Sequence, residues 1–301
     1  MAPSERARRV MSAARTDPAA AHRLAALYCE GEEGLFQPPG LAFKWELRAA
    51  ESGHLEAQGH VGCAYGDGDG VAVDFAAAAT WLERAAGRGH LTSQYNLGCA
   101  YDCGEGIEQN YKLAAIWYQR SVDQGHTRAM VNLGNLFDLG HGVEQDYPHA
   151  NALYREAVKV GNDTDASINA SLNLEVSYFE GKGVQKCVAT ARSFRHRAAD
   201  LGHAGSQYNV GVAYMKGEGG YDKNIQLARQ YIKASASQGN DKAVALLKTW
   251  NACAHCGTTP AAKVCKGCIT TRYCRYCDAE CQLAQWTGPA DPHRAHCGGR
   301  P

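Results

Sequence analysis

Eight of the thirteen cysteines in this 301-residue chain are crowded between Cys253 and Cys297. Their order is Cys253-Ala254-His255-Cys256, then Cys265-Lys266-Gly267-Cys268, then Cys274, Cys277 and Cys281, with His293 and Cys297 closing the run. A Cys-x-x-Cys pair in a tight turn aims two thiolates at one tetrahedral zinc, so two such pairs begin two sites that each lack two ligands. Cys277 and Cys281 stand one helical turn apart and would complete one site, while His293 and Cys297, also four apart, would complete the other. Eight donors make two closed sites for two Zn2+ ions. Closed sites leave no position for water, so the chemistry expected is structural ligation and not hydrolysis.

Little else could fold that segment. Trp286, Val264, Ile269, Leu283 and two tyrosines are the apolar side chains at hand, and so short a stretch rarely folds alone without a metal. The other five cysteines, Cys29, Cys63, Cys99, Cys103 and Cys187, serve the preceding 250 residues. A thiol-poor body joined to a thiol-dense tail speaks for metal ligation in a reducing, cytoplasmic or nuclear setting, not for a disulfide framework. With 31 basic and 31 acidic side chains the chain has no net charge, which removes any whole-chain argument for nucleic acid or an anionic membrane. No stretch approaches the roughly 20 apolar residues of a membrane-spanning helix, and the Arg-rich start, with no apolar block behind it, reads as an ordinary terminus without a secretory signal.

The body that carries this tail is periodic. Gly53, Gly89, Gly125, Gly161, Gly202 and Gly239 recur at intervals of 36, 36, 36, 41 and 37 residues, the length of one helix-turn-helix unit in a stacked array. Within the units an aromatic precedes two glycines: Tyr65, Gly68, Gly70; Tyr101, Gly104, Gly106; Phe137, Gly140, Gly142; Tyr178, Gly181, Gly183; Tyr214, Gly217, Gly219. The two glycines are expected to end the first helix, and Asp74, Asn110, Asp146 and Asn224 to cap the next; Cys187 holds that slot in the unit with five extra residues, whose loop and cap should be irregular. Seven residues on come Trp45, Trp81, Trp117, Leu153, Phe194 and Tyr231, expected to interlock with small residues such as Ala85 and Ala86. Gly62, Gly98, Gly134 and Gly211 lie three residues before the aromatic; a glycine inside a helix costs about 1 kcal/mol, so its repetition predicts a close helix crossing. Glu175 replaces it in the irregular unit and should widen or bend the stack there.

Two residues before that glycine slot lie His60, Asn96, Asn132, Asn173 and Asn209. Their paired donors and acceptors could hold the main chain of an extended peptide, or they could tie adjacent helices together. His54, His90, His126 and His203 follow the unit-ending glycine and read as turn residues. Gly66-Asp67-Gly68-Asp69-Gly70 lacks the ligand pattern of a calcium loop and reads as a helix terminator.

The run Gln-Tyr-Asn-Leu-Gly at residues 94 to 98, with Tyr101 and Gly104-Glu105-Gly106 behind it, resembles the Sel-one-like repeat family, relatives of tetratricopeptide repeats. The resemblance covers 17–250 in about six units and implies an all-α fold, a right-handed α-solenoid of helix-turn-helix repeats that binds other proteins. The string Tyr276-Cys277-Asp278-Ala279-Glu280-Cys281-Gln282, then Trp286, then His293-Arg294-Ala295-His296-Cys297, is similar to the MYND zinc finger and spans 251–297. That family's interleaved ligation implies Cys253, Cys256, Cys277 and Cys281 on one zinc and Cys265, Cys268, His293 and Cys297 on the other. Spacing to Cys268 would favour Cys274 in place of Cys277, but the intact Tyr-Cys-x-x-x-Cys-Gln string favours Cys277. Seven residues, with Pro289 and Pro292 among them, separate Trp286 from His293, which leaves His296 as its competitor. The resemblance further implies a shallow groove for short proline-rich peptides built from Gln282, Trp286 and Lys266, the alternative being that Trp286 is core. Residues 1–16 are expected to be a flexible terminus.

The combined expectation is a non-catalytic adaptor whose solenoid binds one protein and whose finger takes a short proline-rich motif. A nucleic-acid-associated zinc protein is the alternative; residues 251–301 hold six Lys or Arg against three Asp or Glu, too mild an excess to support it. An accessory of a protein methyltransferase system is the other alternative, since the repeats leave no room for a methyltransferase domain in this chain.

Overall fold

The computed structural model describes residues 5–31, 40–250, 263–264 and 275–276. Fourteen helices are present among them: α1 (Glu5–Ala13), α2 (Pro18–Glu30), α3 (Leu41–Glu51), α4 (Leu55–Asp67), α5 (Phe75–Gly87), α6 (Leu91–Cys103), α7 (Tyr111–Asp123), α8 (Thr127–Leu139), α9 (Tyr147–Val160), α10 (Thr164–Glu180), α11 (Val188–Asp200), α12 (Ala204–Lys216), α13 (Ile225–Ser237) and α14 (Asp241–Trp250). Two short strands, β1 (Lys263–Val264) and β2 (Arg275–Tyr276), pair antiparallel, with Lys263 opposite Tyr276 and Val264 opposite Arg275. The chain divides into two compact units, residues 1–191 and 192–301.

In the first unit α2 packs on α3, α4 on α5, α6 on α7 and α8 on α9, and in the second α12 packs on α13, so the expected helical repeat is observed among the described residues, in pairs typical of a solenoid. Local chemistry sets each pair. The side chains of Asp74, Asn110, Asp146 and Asn224 accept hydrogen bonds from the backbone N–H groups of Ala77, Lys112 and Leu113, His149, and Gln226 and Leu227, as capping requires. In α5 the buried residues Ala78, Ala79, Leu82, Ala85 and Ala86 form one helical stripe; α7 repeats it with Ala114, Ala115, Tyr118 and Ser121. The large side chain in the core is therefore one residue later than the tryptophan column. Leu82, Tyr118, Tyr154 and Ile232 are buried, whereas Trp81 and Trp117 are half-buried and carry Arg84 and Arg120 over their rings at 4.6 and 4.4 Å. Trp117 still packs against the cluster of Leu82, Ala86 and Leu97 that precedes it in the array.

The glycine in the middle of the first helices is a crossing point. A methyl group built at Gly98 would lie 2.6 Å from Cδ1 of Tyr118, and one at Gly134 would lie 2.6 Å from Cε1 of Tyr154. The second glycine of each turn has a role that spacing did not reveal. Gly142 (φ 72°) abuts Tyr111 and Lys112 at the start of α7, and Gly183 (φ 64°) abuts Tyr147 and Pro148 at the start of α9, so a backbone that no Cβ would fit joins consecutive pairs.

Two expectations need correction. Residues 5–13 form α1 with Ala7 fully buried, so most of the stretch expected to be a flexible terminus is helical. Four of the five extra residues of the irregular unit enter the helix and the fifth lies in the turn before it: α10 has 17 residues where the other first helices from α2 to α12 have 13, and the turn from Gly181 to Cys187 keeps the length of the turn from Gly104 to Asn110. A helix absorbs four residues as about one more turn without losing its buried stripe, which a loop fixed at both ends cannot do.

Candidate functional site

The side chains with recognition chemistry in the first unit gather along the first helices α4, α6, α8 and α10, and the repeat explains why: equivalent positions on successive helices form columns. In one column the amide of Asn96 donates to the Sγ of Cys63 at 3.1 Å, that of Asn132 donates to the hydroxyl of Tyr118 at 3.2 Å, and that of Asn173 donates to Oδ1 of Asn135 at 2.9 Å. Each bond reaches sideways to the neighbouring first helix or to the tyrosine beneath it. The three asparagines remain half-buried. Asn209, in the second unit, is exposed on α12.

Two depressions open beside this column. The larger, about 470 Å3, is lined by residues of α2, α3 and α4, among them His22, Glu46, His60, Cys29, Cys63 and Asp67. The smaller, about 250 Å3, is lined by residues of α4, α5 and α6, including Phe75, Leu82, Asn96 and Cys99. Cys63 and Asp67 border both, so the two are adjoining segments of one groove.

The thiols in the groove are poor nucleophiles. Burial raises the pKa of Cys63, and burial likewise raises that of Cys99, against the lowering by hydrogen bonds from Tyr118 and Tyr95. Burial also pushes the Tyr118 hydroxyl far above its ordinary range, and it donates to Oδ2 of Asp102 at 3.0 Å. Cys99 packs against the apolar cluster of Ala114, Leu133 and Leu136, with its Sγ 3.4 Å from the Tyr118 hydroxyl.

At one end of the groove Glu46, 7% exposed, receives Nδ1 of His22 at 2.9 Å and Nδ1 of His60 at 2.7 Å. The Glu46 hydrogen bond raises the pKa of His60. These three are the residues in the described chain whose donor atoms are grouped as a metal would need, all within 4.8 Å of one another. Spacing arguments missed His22 and Glu46. The signal lay in the register: Glu46 occupies the slot of Leu82, Tyr118 and Tyr154, the only acidic side chain in that column.

The histidines after the unit-ending glycines are helix caps. Nδ1 of His54, His90, His126 and His203 accepts from the backbone N–H of Ala57, Ser93, Ala129 and Ser206 at 3.2 to 3.3 Å. Accepting requires a neutral ring, and burial lowers the pKa of both His54 and His126. The expected zinc ligands Cys253, Cys256, Cys265, Cys268, Cys277, Cys281, His293 and Cys297, and the expected peptide contacts Gln282, Trp286 and Lys266, lie outside the described residues.

Comparison with known proteins bears on the repeat. The Sel1 repeat model matches residues 18–54, 55–90, 91–126, 127–162 and 204–240. The stretch it passes over, 163–203, is the unit with the lengthened α10. Among solved structures the chain is similar to a protective antigen of uropathogenic Escherichia coli strains displaying an SLR fold, at 30% identity and TM-score 0.66 over 81% of this chain and 52% of that one. This chain thus spans about half that protein's length. It is also similar to a Sel1 repeat protein from Oxalobacter formigenes, at 28% identity and TM-score 0.64, over 73% of this chain and 85% of that one. A search of curated proteins gives no match.

Proposed function

The chain belongs to the Sel1 repeat family, and from this we propose that it is a non-catalytic protein–protein adaptor, a right-handed α-solenoid that seats a partner segment along its first helices. Solenoids of this kind are typical interaction scaffolds, because stacking identical hairpins makes an extended wall in place of a single deep pocket. The observation that carries the reading is the continuous groove bordered by Asn96, Cys63 and the two adjoining depressions, where half-buried amides can meet the main chain of an extended segment. Raised thiol pKa values in that groove favour recognition over nucleophilic chemistry.

The tail adds a second docking surface in this proposal. Eight ligands in the order described hold two zinc ions and fold residues 251–297 as a MYND-type finger, with Gln282, Trp286 and Lys266 facing a short proline-rich segment. A ligand that is already extended loses little freedom on binding, which suits a shallow aromatic groove. A reducing cytoplasmic or nuclear setting fits thiolate ligation.

Affinity capture with the full chain, and with a version lacking residues 251–301, tests the proposal. Loss of part of the captured set shows two docking surfaces; an identical set removes the tail from recognition. If neither version retains a protein, the adaptor reading is wrong.

A further inference from the structure

Three departures from the repeat meet at one point. Where other pairs carry Leu82, Tyr118 and Tyr154 in the core, the first carries Glu46. Where Gln58 and Gln94 donate to the backbone carbonyls of Ala50 and Ala86, the first pair carries His22. Where Asn96, Asn132 and Asn173 tie first helices together, α4 carries His60. A packing slot for an apolar side chain exists at position 46, and filling it with a carboxylate that is 7% exposed is unfavourable unless something of opposite charge meets it. We propose that His22, Glu46 and His60 form a binding site for a divalent transition-metal ion of the zinc class, separate from the cysteine-rich tail.

The donor chemistry and geometry carry it. Two imidazole nitrogens and one carboxylate suit zinc and its first-row neighbours; calcium and magnesium demand more oxygen ligands. Nδ1 of His22 lies 2.9 and 3.1 Å from the two Glu46 oxygens, and Nδ1 of His60 lies 2.7 Å from Oε1. Bonds of about 2.0 to 2.1 Å around a tetrahedral ion put neighbouring ligand atoms roughly 3.3 to 3.4 Å apart. The hydrogen-bonded atoms therefore need to part by well under about 1 Å, and an ion takes the place of the bridging protons. The ring of His54 stacks on that of His22 with centroids 4.6 Å apart, which restrains the His22 plane. The side chain of His60 is 57% exposed and gives a route from solvent. The cavity of about 470 Å3 bordered by all three ligands leaves room for water or a partner's side chain at a fourth position. With three protein ligands on α2, α3 and α4, the ion would also clamp the first two helix pairs together.

The test uses the full chain and two kinds of variant that restore the repeat's own residues, so that folding is respected: H22Q with H60N, and E46L. Cobalt(II) reports the two environments separately, since thiolate sites give charge-transfer bands that a site of two imidazoles and a carboxylate does not. The expected result is one metal ion fewer per chain in both variants by native mass spectrometry. Thiolate–cobalt absorption should be unchanged, and affinity at the lost site should weaken at least about tenfold in the single substitution H60N. Equal ion counts in wild type and variants would overturn the proposal. So would a cobalt titration of the wild type that shows no thiolate-free spectrum, a measurement that needs no variant to fold. Failure of the tail to bind zinc removes the charge-transfer bands and leaves this outcome readable.

Discussion

Replacing Gly98 by alanine sets two opposing effects against each other. Alanine in a helix is favoured over glycine by about 1 kcal/mol. The new methyl, however, would lie 2.6 Å from Cδ1 and 2.7 Å from Cε1 of Tyr118, against the roughly 3.5 to 4.0 Å of a relaxed carbon contact. Tyr118 cannot yield easily: it is fully buried, its hydroxyl donates to Asp102 at 3.0 Å, and it receives the amide of Asn132 at 3.2 Å. Overpacking of this kind costs about 1 to 3 kcal/mol, and losing one of those hydrogen bonds about 0.5 to 1.5 kcal/mol more. Net destabilisation of roughly 1 to 3 kcal/mol is expected after the helix gain is subtracted. Gly66 in α4 is the control, because a methyl there meets nothing within 4 Å. Gly66→Ala should stabilise by up to about 1 kcal/mol, so the propensity contribution largely cancels in the comparison. Equilibrium urea unfolding followed by helical circular dichroism, with equal slopes required of both variants, measures the difference. If Gly98→Ala is as stable as Gly66→Ala, the close crossing of α6 and α7 is not what the glycine serves.

Further outcomes follow from the caps, the column and the tail. His126 has a lowered pKa from burial and must be neutral to accept from Ala129, so its contribution is complete above the unfolded value of 6.5. That contribution is lost as pH falls from 6.5 toward the lower folded value, because the unfolded chain takes up the proton first. The urea midpoint of the wild type should therefore drop more between pH 8 and pH 5.5 than that of His126→Asn, which caps without titrating; parallel profiles would refute this. Asn132→Ala should cost about 0.5 to 1.5 kcal/mol of stability in the same unfolding assay and weaken partner capture, and unchanged values in both would remove the column from packing and from recognition alike. Cys277→Ser should release one tail zinc while Cys274→Ser releases none, counted by native mass spectrometry; the reverse would exchange the two ligands.

Much of the fold was readable from periodicity because a helical hairpin writes its constraints locally. Asp74 and Asn110 cap the helices they precede, and Gly104 and Gly140 stop the helices they follow with left-handed backbone angles. Gly98 and Gly134, unfavourable within a helix, announced a contact before its partner was known. Those partners were not legible: Tyr118 sits 20 residues from Gly98, and only folding showed that the buried column falls one residue after Trp117. Likewise the five-residue surplus between Gly161 and Gly202 could enter loop or helix, and α10 took four of the five because a turn of helix preserves the buried stripe.

For the site, the Asn column was set by sequence, since equal spacing on stacked helices must align equivalent residues. What the asparagines touch was a tertiary outcome, because a side-chain amide can face a groove or a neighbour with the same local geometry. His22, Glu46 and His60 are 24 and 14 residues apart and share no motif. Spacing singled out only His60; His22 and Glu46 stand out as departures from their columns once the repeat register is followed through every unit. Packing of α2, α3 and α4 decided that the three departures meet, because distance in space is set by how helices stack and not by how residues are counted.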